Sequence, residues 1–397
     1  MALRIENLTT AVRDLARTTA ERAQSSHLEE ARTLLHSLEA DALRDKINRV
    51  QERVPWLVAL PTDEPPGATF PLPPIPRDHT VVATDGSHMA PDRHSPVQFI
   101  VLNLGLVHMR YGSRPAAWLH SRGHLWYREE ETHHVAPDGT LYPIEGALLG
   151  VEMALQELEA LAELAHEAEP PALALRDGSL IFWPIQNEDP PLQDLLLPRV
   201  RRALRAFHDL GIPVASFISY PGARDLVNSL RIWLCGHCVK DRECGQCTVC
   251  TPEEATFCRW LRPVRDRTLL ENILQPGERS AIFQSTSALL ERYQDPDGVD
   301  HRILFFYVHT GREIARVEAP AWVMETPAYR DLVHAVVVDQ CYRGGGYPPA
   351  LQEAHEQAVI TAGDRQMVQT LVEQELARLG IPYTRSMKDW SKRLRGI

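Results

Sequence analysis

The sequence predicts an α/β protein: a mixed sheet flanked by helices, with a helical region before it and a cysteine-rich insertion within it. Three observations carry this. Apolar runs rich in β-formers come first, at Thr80-Val81-Val82-Ala83, Val97 to Tyr111 and Gly123 to Arg128. A long helical pattern from about Ile144 to Ala168 follows, then a further apolar run, Ala172-Leu173-Ala174-Leu175. The runs on either side of the helix lead into the same tripeptide, Asp85-Gly86-Ser87 and Asp177-Gly178-Ser179.

At 397 residues the chain can bury a large core, in one large domain with additions or in two. Composition divides it into 1–76, helical and then proline-rich, and 77–397, a main domain carrying a cysteine-rich insertion at 235–258. Lys plus Arg number 42 and Asp plus Glu 53, a formal charge of −11. Such a chain is not a general polyanion binder; contact with nucleic acid needs a local basic groove, metal ions or a partner protein. The arginine-rich stretches are Arg199-Val200-Arg201-Arg202 with Arg205, and Arg259, Arg262, Arg265 and Arg267. Each is a solvated face unless it meets phosphate. No apolar run approaches the roughly 20 residues of a membrane span, and the start of the chain lacks the apolar core of a signal peptide. A cytoplasmic protein without a membrane partner is expected.

Residues from about 10 to 54 read as helical, with Leu28, Ala31, Leu35, Leu38 and Ala42 recurring at steps of three and four. That stripe suits a helix pairing with a second subunit, or one packed on its own domain. Pro55 to Pro76 holds eight prolines in 22 residues, too many for a helix or a central strand, and reads as a linker or a wrapping arm. Leu125 and Tyr127 alternate as in a hairpin partner of the preceding run. Pro170-Pro171 stops the long helix, and a helix at Pro191 to Leu210 and a strand at Pro213 to Ser219 follow. Three antiparallel strands, a helix, a parallel strand and further alternation is the order of a ribonuclease H-like fold.

A parallel sheet sets the carboxyl ends of neighbouring strands side by side, which makes Asp85 and Asp177 neighbours. Close carboxylates repel unless a proton or cation neutralises them, and the hard ions Mg²⁺ and Mn²⁺ prefer oxygen donors. The competing reading is that Asp-Gly-Ser is simply a favourable turn. A third carboxylate comes from the long helix, whose buried face is Val151, Leu155, Leu158, Ala162 and Ala165. Glu157 sits on the border of that face, with Leu158, Leu161, Ala162 and Ala165 at its +1, +4, +5 and +8 positions. Glu152 fits less well and stands as the fallback.

Cys235, Cys238, Cys244, Cys247, Cys250 and Cys258 cluster as Cys-x2-Cys knuckles, a spacing that lets two thiolates grip one ion from a tight turn. Structural zinc on Cys235, Cys238, Cys247 and Cys250 is the first reading; an iron–sulfur cluster, or reduced or disulfide-forming cysteines, are the others. Farther on, glycines precede Tyr347-Pro348-Pro349, and Pro349 suits the first turn of a helix carrying His355. Tyr347 and His355 can face one groove from either end of that segment.

Together these motifs resemble the NurA family of DNA repair nucleases, which pair with the HerA hexameric translocase. The matching residues are Asp85-Gly86-Ser87, Asp177-Gly178-Ser179-Leu180, Pro276-Gly277-Glu278-Arg279-Ser280, Val317-Glu318-Ala319-Pro320, Gly346-Tyr347-Pro348 and Ala354-His355. The resemblance implies a ribonuclease H-like fold, a homodimer, and a Mn²⁺-dependent deoxyribonuclease, both exonuclease and single-strand endonuclease, that processes DNA ends in recombinational repair. It also implies Asp85, Glu157 and Asp177 as metal ligands for Mn²⁺ or Mg²⁺, with Tyr347 and His355 as further catalytic residues. Arg279 is then a candidate for contact with the DNA backbone. Two rivals stand beside this reading: a non-catalytic ribonuclease H-like scaffold that binds DNA or protein through a zinc knuckle, and a metal-dependent phosphatase or RNA nuclease.

Overall fold

The computed structural model describes residues 8–23, 26–50, 54, 56–91, 97–235 and 260–381. The chain divides into two units. One comprises Met1–Pro71, Ser219–Ser287 and Phe305–Arg316; the other comprises Leu72–Ile218, Ala288–Leu304 and Val317–Ile397.

The second unit holds a mixed sheet. Its first three strands, β1 (His79–Met89), β2 (Ile100–Tyr111) and β3 (Ala116–Trp126), are antiparallel neighbours. Helix α1 (Ala147–Ala165) follows, ahead of β4 (Ala172–Asp177), which returns parallel to β1. Helix α2 (Pro190–Leu210) leads to β5 (Val214–Ile218), parallel to β4. The order across the sheet is therefore β3-β2-β1-β4-β5. Prolines suit the first turn of α2, where no N–H is needed, and Gly211 at φ 65° ends it in the left-handed conformation. One core joins Val82, Leu102, Leu104 and Ala174 of the sheet to Leu155, Leu158 and Leu161 of α1 and to Leu196, Val200 and Phe207 of α2. Burial of these side chains, at about 25 cal/mol per Å² of apolar surface, is what drives the helices onto the sheet.

The first Asp-Gly-Ser departs from expectation. It is not a turn: β1 runs straight through it, with Asp85 opposite Gly105 and Ser87 opposite Asn103. The second behaves as a turn, since β4 ends at Asp177 and Gly178 adopts φ 79°. The difference lies in the partners, because β2 continues past Gly86 and keeps the ladder filled.

Helix α3 (Pro327–Arg343) and helix α4 (Pro349–Ala358) complete this part of the unit. The last carbonyls of a helix have no intrahelical partner, and here Asn103 Nδ2 donates to Gln357 O (3.0 Å) and Ala358 O (2.9 Å) while Ser87 Oγ donates to Ala358 O. Two neighbouring strands thus hold the end of α4.

In the first unit, helices Thr9–Ala23, Ser26–Ser37 and Ala40–Val50 precede short strands. Four members of the expected apolar stripe are covered at home, since Leu28, Ala31, Leu35 and Leu38 are buried in a core with Leu226, Leu230, Phe283 and Phe305; the fifth, Ala42, is exposed, and Leu43 takes the buried position instead. The proline-rich segment is a wrapping arm whose strand Ala59–Pro61 pairs with Phe283–Ser285, and whose strand Thr69–Phe70 pairs with Arg279–Ser280. Arg279 is not placed to meet a DNA backbone. It is buried, bidentate on Glu64 (2.8 and 2.9 Å), and stacked 3.9 Å over Phe70. Of the expected zinc ligands, Cys235 is buried at the end of helix Asp225–Leu234, whereas Cys238, Cys247 and Cys250 lie outside the described residues. Among the described residues no helix is long and apolar enough to cross a membrane.

Gly105 is where α4 meets the sheet, since a Cβ there would lie 2.0 Å from Ala354 O. Gly105→Ala is expected to push α4 outward and lower stability by about 1–3 kcal/mol, the usual range for overpacking. An unchanged urea midpoint would show that α4 does not rest on this strand.

Candidate active site

Four elements, β1, β4, α1 and α4, converge at the middle of the sheet. Thr84 pairs in register with Arg176, so the next residue on each parallel strand, Asp85 and Asp177, lies beside the other. Side chains alternate between the faces of a strand. Thr84 and Gly86 face α1: Thr84 Oγ1 donates to Glu157 O (2.9 Å), and a Cβ on Gly86 would sit 2.8 Å from Glu157 Oε1. Asp85 faces α4, where His355 Nδ1 lies 2.8 Å from its Oδ2. The missing side chain of Gly86 is what lets the Glu157 carboxyl reach this strand.

Glu157 is largely covered, with 12% of its side chain exposed. Burial, reinforced by the charges of Asp85 and Asp177, pushes its carboxyl up to about 7 even though the Arg176 guanidinium, Nη2 at 3.1 Å from Oε2, opposes the shift. Burial and Asp85 raise the Asp177 carboxyl as well, against hydrogen bonds from the Gly178 N–H and the Tyr347 hydroxyl. The same neighbourhood raises the Tyr347 phenol, through burial first and then the Asp177 charge. Tyr347 is braced edge-on against Phe217, ring centroids 5.6 Å apart. His355 is mostly solvent-facing, at 67% exposed. With Nδ1–H donating to Asp85, its Nε2 is left as the outward acceptor.

The structure therefore brings Asp85, Glu157, Asp177, Tyr347 and His355 into one neighbourhood and sets Glu152 apart. Glu152 is buried against Arg199 (2.7 and 2.9 Å) and His134 (3.1 Å). Burial acts to raise its carboxyl, but the hydrogen bonds from His134 and Arg199 dominate and hold it at about 2. It is one arm of an ion-pair network in which Arg199 also grips Glu159. Arg205 is likewise occupied, with Asp209 and Asp297. These two arginines of the basic run pair with carboxylates of their own chain.

Two residues given no role from the sequence shape the site. Arg176 lies on β4 beside Asp177 and joins two anchors, donating to Glu157 and to Ser179 O (2.6 Å). Its one sequence signal is alternation, which sends the neighbour of an outward Asp177 toward α1. Glu318, on strand Ile314–Pro320, is buried and accepts from Ser179 Oγ (2.7 Å) and Leu180 N (3.0 Å). It fixes the turn that ends β4.

Among the described residues no three His, Cys, Asp or Glu side chains form a ready metal cage. The donors nonetheless suit a divalent ion in kind. They are oxygens, the charges of Asp85 and Asp177 add to burial in raising their neighbours' carboxyls, and such repulsion is what a hard cation relieves. Arg176 supplies part of that positive charge from the protein itself.

A family model described as the NurA domain matches residues 79–360. No curated protein matches the chain. Among solved structures, LC9-RNase H1, a type 1 RNase H with the type 2 active-site motif, shares 12% identity at a TM-score of 0.22, covering 40% of this chain and 72% of its own.

Because Glu157 holds its proton more tightly folded (about 7) than at its ordinary 4.5, it favours the folded state most below pH 4.5, and that stability is lost as the pH rises toward 7. Without divalent ions this one group is expected to lower stability by about 2 kcal/mol between about pH 5 and about pH 7.5. Urea unfolding at both values in EDTA should show that component missing in Glu157→Gln. An identical pH dependence in variant and wild type would contradict it.

Proposed function

The chain belongs to the NurA domain family, a family of nucleases, and from that premise we propose that it is a Mn²⁺- or Mg²⁺-dependent deoxyribonuclease acting on DNA ends through a ribonuclease H-like centre. The observation that carries the reading is the in-register parallel pairing of β1 and β4, which sets Asp85 beside Asp177, with Glu157 close enough to feel the charge of both. Three antiparallel strands followed by a helix and two parallel strands support the ribonuclease H-like assignment.

In this reading Asp85, Glu157 and Asp177 hold the metal. The ion, when bound, polarises a phosphoryl oxygen and lowers the pKa of an attacking water. Arg176 keeps the Glu157 carboxyl aimed at the strand edge through its second anchor on Ser179 O. Asp85 fixes the His355 ring by accepting from Nδ1, so that Nε2 takes the proton released by the water. The Tyr347 hydroxyl orients the Asp177 carboxylate, and its ring edge borders the space where a nucleotide would lie. A net charge of −11 gives DNA capture no general electrostatic help, which supports a HerA-type ATPase that feeds strands to the site; assembly as a homodimer is part of the proposal on the family resemblance alone. Zinc on Cys235, Cys238, Cys247 and Cys250 would serve as a structural staple.

Asp85→Ala or Asp177→Ala is expected to lower Mn²⁺-dependent cleavage of DNA by at least about a hundredfold while preserving the circular dichroism spectrum. EDTA should have the same effect on wild type. Full cleavage by either variant would remove the carboxylates from the chemistry, and binding without turnover in any divalent metal would favour a non-catalytic scaffold.

A further inference from the structure

A second concentration of arginine, in the first unit, is organised differently from the rest of the molecule. Tyr220 adopts φ 46°, left-handed although it is not glycine, and is 65% exposed. Such strain persists only where surroundings impose it, and here three consecutive carbonyls are pinned. Pro221 O accepts from Arg267 Nη1 (2.6 Å), Gly222 O from Arg265 Nη1 (2.6 Å) and Ala223 O from Asp266 N (3.0 Å). Asp266 is in turn locked inside the unit by the N–H groups of Leu226 and Val227 and by the Tyr307 hydroxyl (2.6 Å). The Arg267 guanidinium lies 3.8 Å from the Tyr220 ring centroid. Arg224, exposed beside this loop, donates to the carbonyl of exposed Arg262 (2.9 Å).

Among the described residues Arg224, Arg262, Arg265 and Arg267 pair with no carboxylate, whereas Arg32, Arg44, Arg279 and Arg316 of the same unit all do. One carboxylate lies at the start of the loop: Glu313 accepts from Ser219 Oγ (2.6 Å). Each guanidinium carries five N–H donors, so those spending one on a backbone carbonyl keep others for phosphate oxygens.

We propose that Tyr220 with Arg224, Arg262, Arg265 and Arg267 forms a binding surface for single-stranded DNA, the ring stacking on a base while the guanidinium groups hold the flanking phosphates. An exposed aromatic ring beside cations is the combination that single strands use, and a duplex hides the base faces a ring needs. That the strand is DNA rests on the nuclease reading; the surface itself rests on the loop.

The test is fluorescence anisotropy of the full chain with a labelled oligothymidylate and with a labelled hairpin duplex, in EDTA. Tyr220→Ala is expected to weaken oligothymidylate binding about tenfold, Tyr220→Phe to retain wild-type affinity, and duplex binding to change less than about twofold. Arg224→Ala with Arg262→Ala should reduce the slope of log affinity against log salt by about one or two. Wild-type affinity in Tyr220→Ala, or an equal loss on duplex, overturns the stacking surface. Should Tyr220→Ala fail to fold, an unchanged salt slope in the arginine variant overturns it instead. Mn²⁺-dependent cleavage by wild type, measured in parallel, separates the two ideas. No cleavage with Tyr220-dependent binding sinks only the nuclease reading, and cleavage with Tyr220-independent binding sinks only the surface.

Discussion

Carboxyl groups set beside one another destabilise a folded chain unless something neutralises them, and Asp85, Asp177 and Glu157 are set this way, Glu157 largely covered, Asp85 partly covered and Asp177 open to solvent. The in-register pairing of two parallel strands imposes the first contact. Burial is the larger cause of the raised Glu157 and Asp177 carboxyls, and the neighbouring charges reinforce it. Arg176 offsets the repulsion on one side of the sheet and the Gly178 N–H and Tyr347 hydroxyl on the other.

Two glycines decide how closely the helices approach. Gly86 leaves room for Glu157 and Met153 of α1, and Gly105 leaves room for the backbone of α4. At neither position is a left-handed conformation the reason. The requirement is the absence of a Cβ, and it comes from opposite faces of neighbouring strands. His355 owes its position over Asp85 to the Gly105 contact and to the two side chains that hold the end of its helix.

Much of this was legible from pattern alone. Apolar periodicity located the long helix and both strands that border it, and the border position of Glu157 distinguished it from Glu152. That distinction reappears in the structure as two environments, one carboxyl raised among its like and one held low by Arg199 and His134. The straight passage of β1 through Asp85-Gly86-Ser87 was not legible, because local turn preference is overruled by a partner strand far along the chain. The ion pair of Arg279 with Glu64, 215 positions away, is hidden for the same reason, as is the part played by Glu318 at the end of β4. The apolar stripe of the N-terminal helices was visible, but not that its own unit covers it.

Alternation along β1 has one more consequence. Thr84, Asp85 and Gly86 are successive residues whose environments are mutually exclusive: a helix backbone contact, an imidazole, and a space that a methyl group would fill. Sliding this strand by one step against β4 would turn an acid into the helix interface and a hydroxyl toward His355, failing in three places together. The alignment that assembles the carboxylates is therefore proofread by the same three residues, two through what their side chains meet and one through having none.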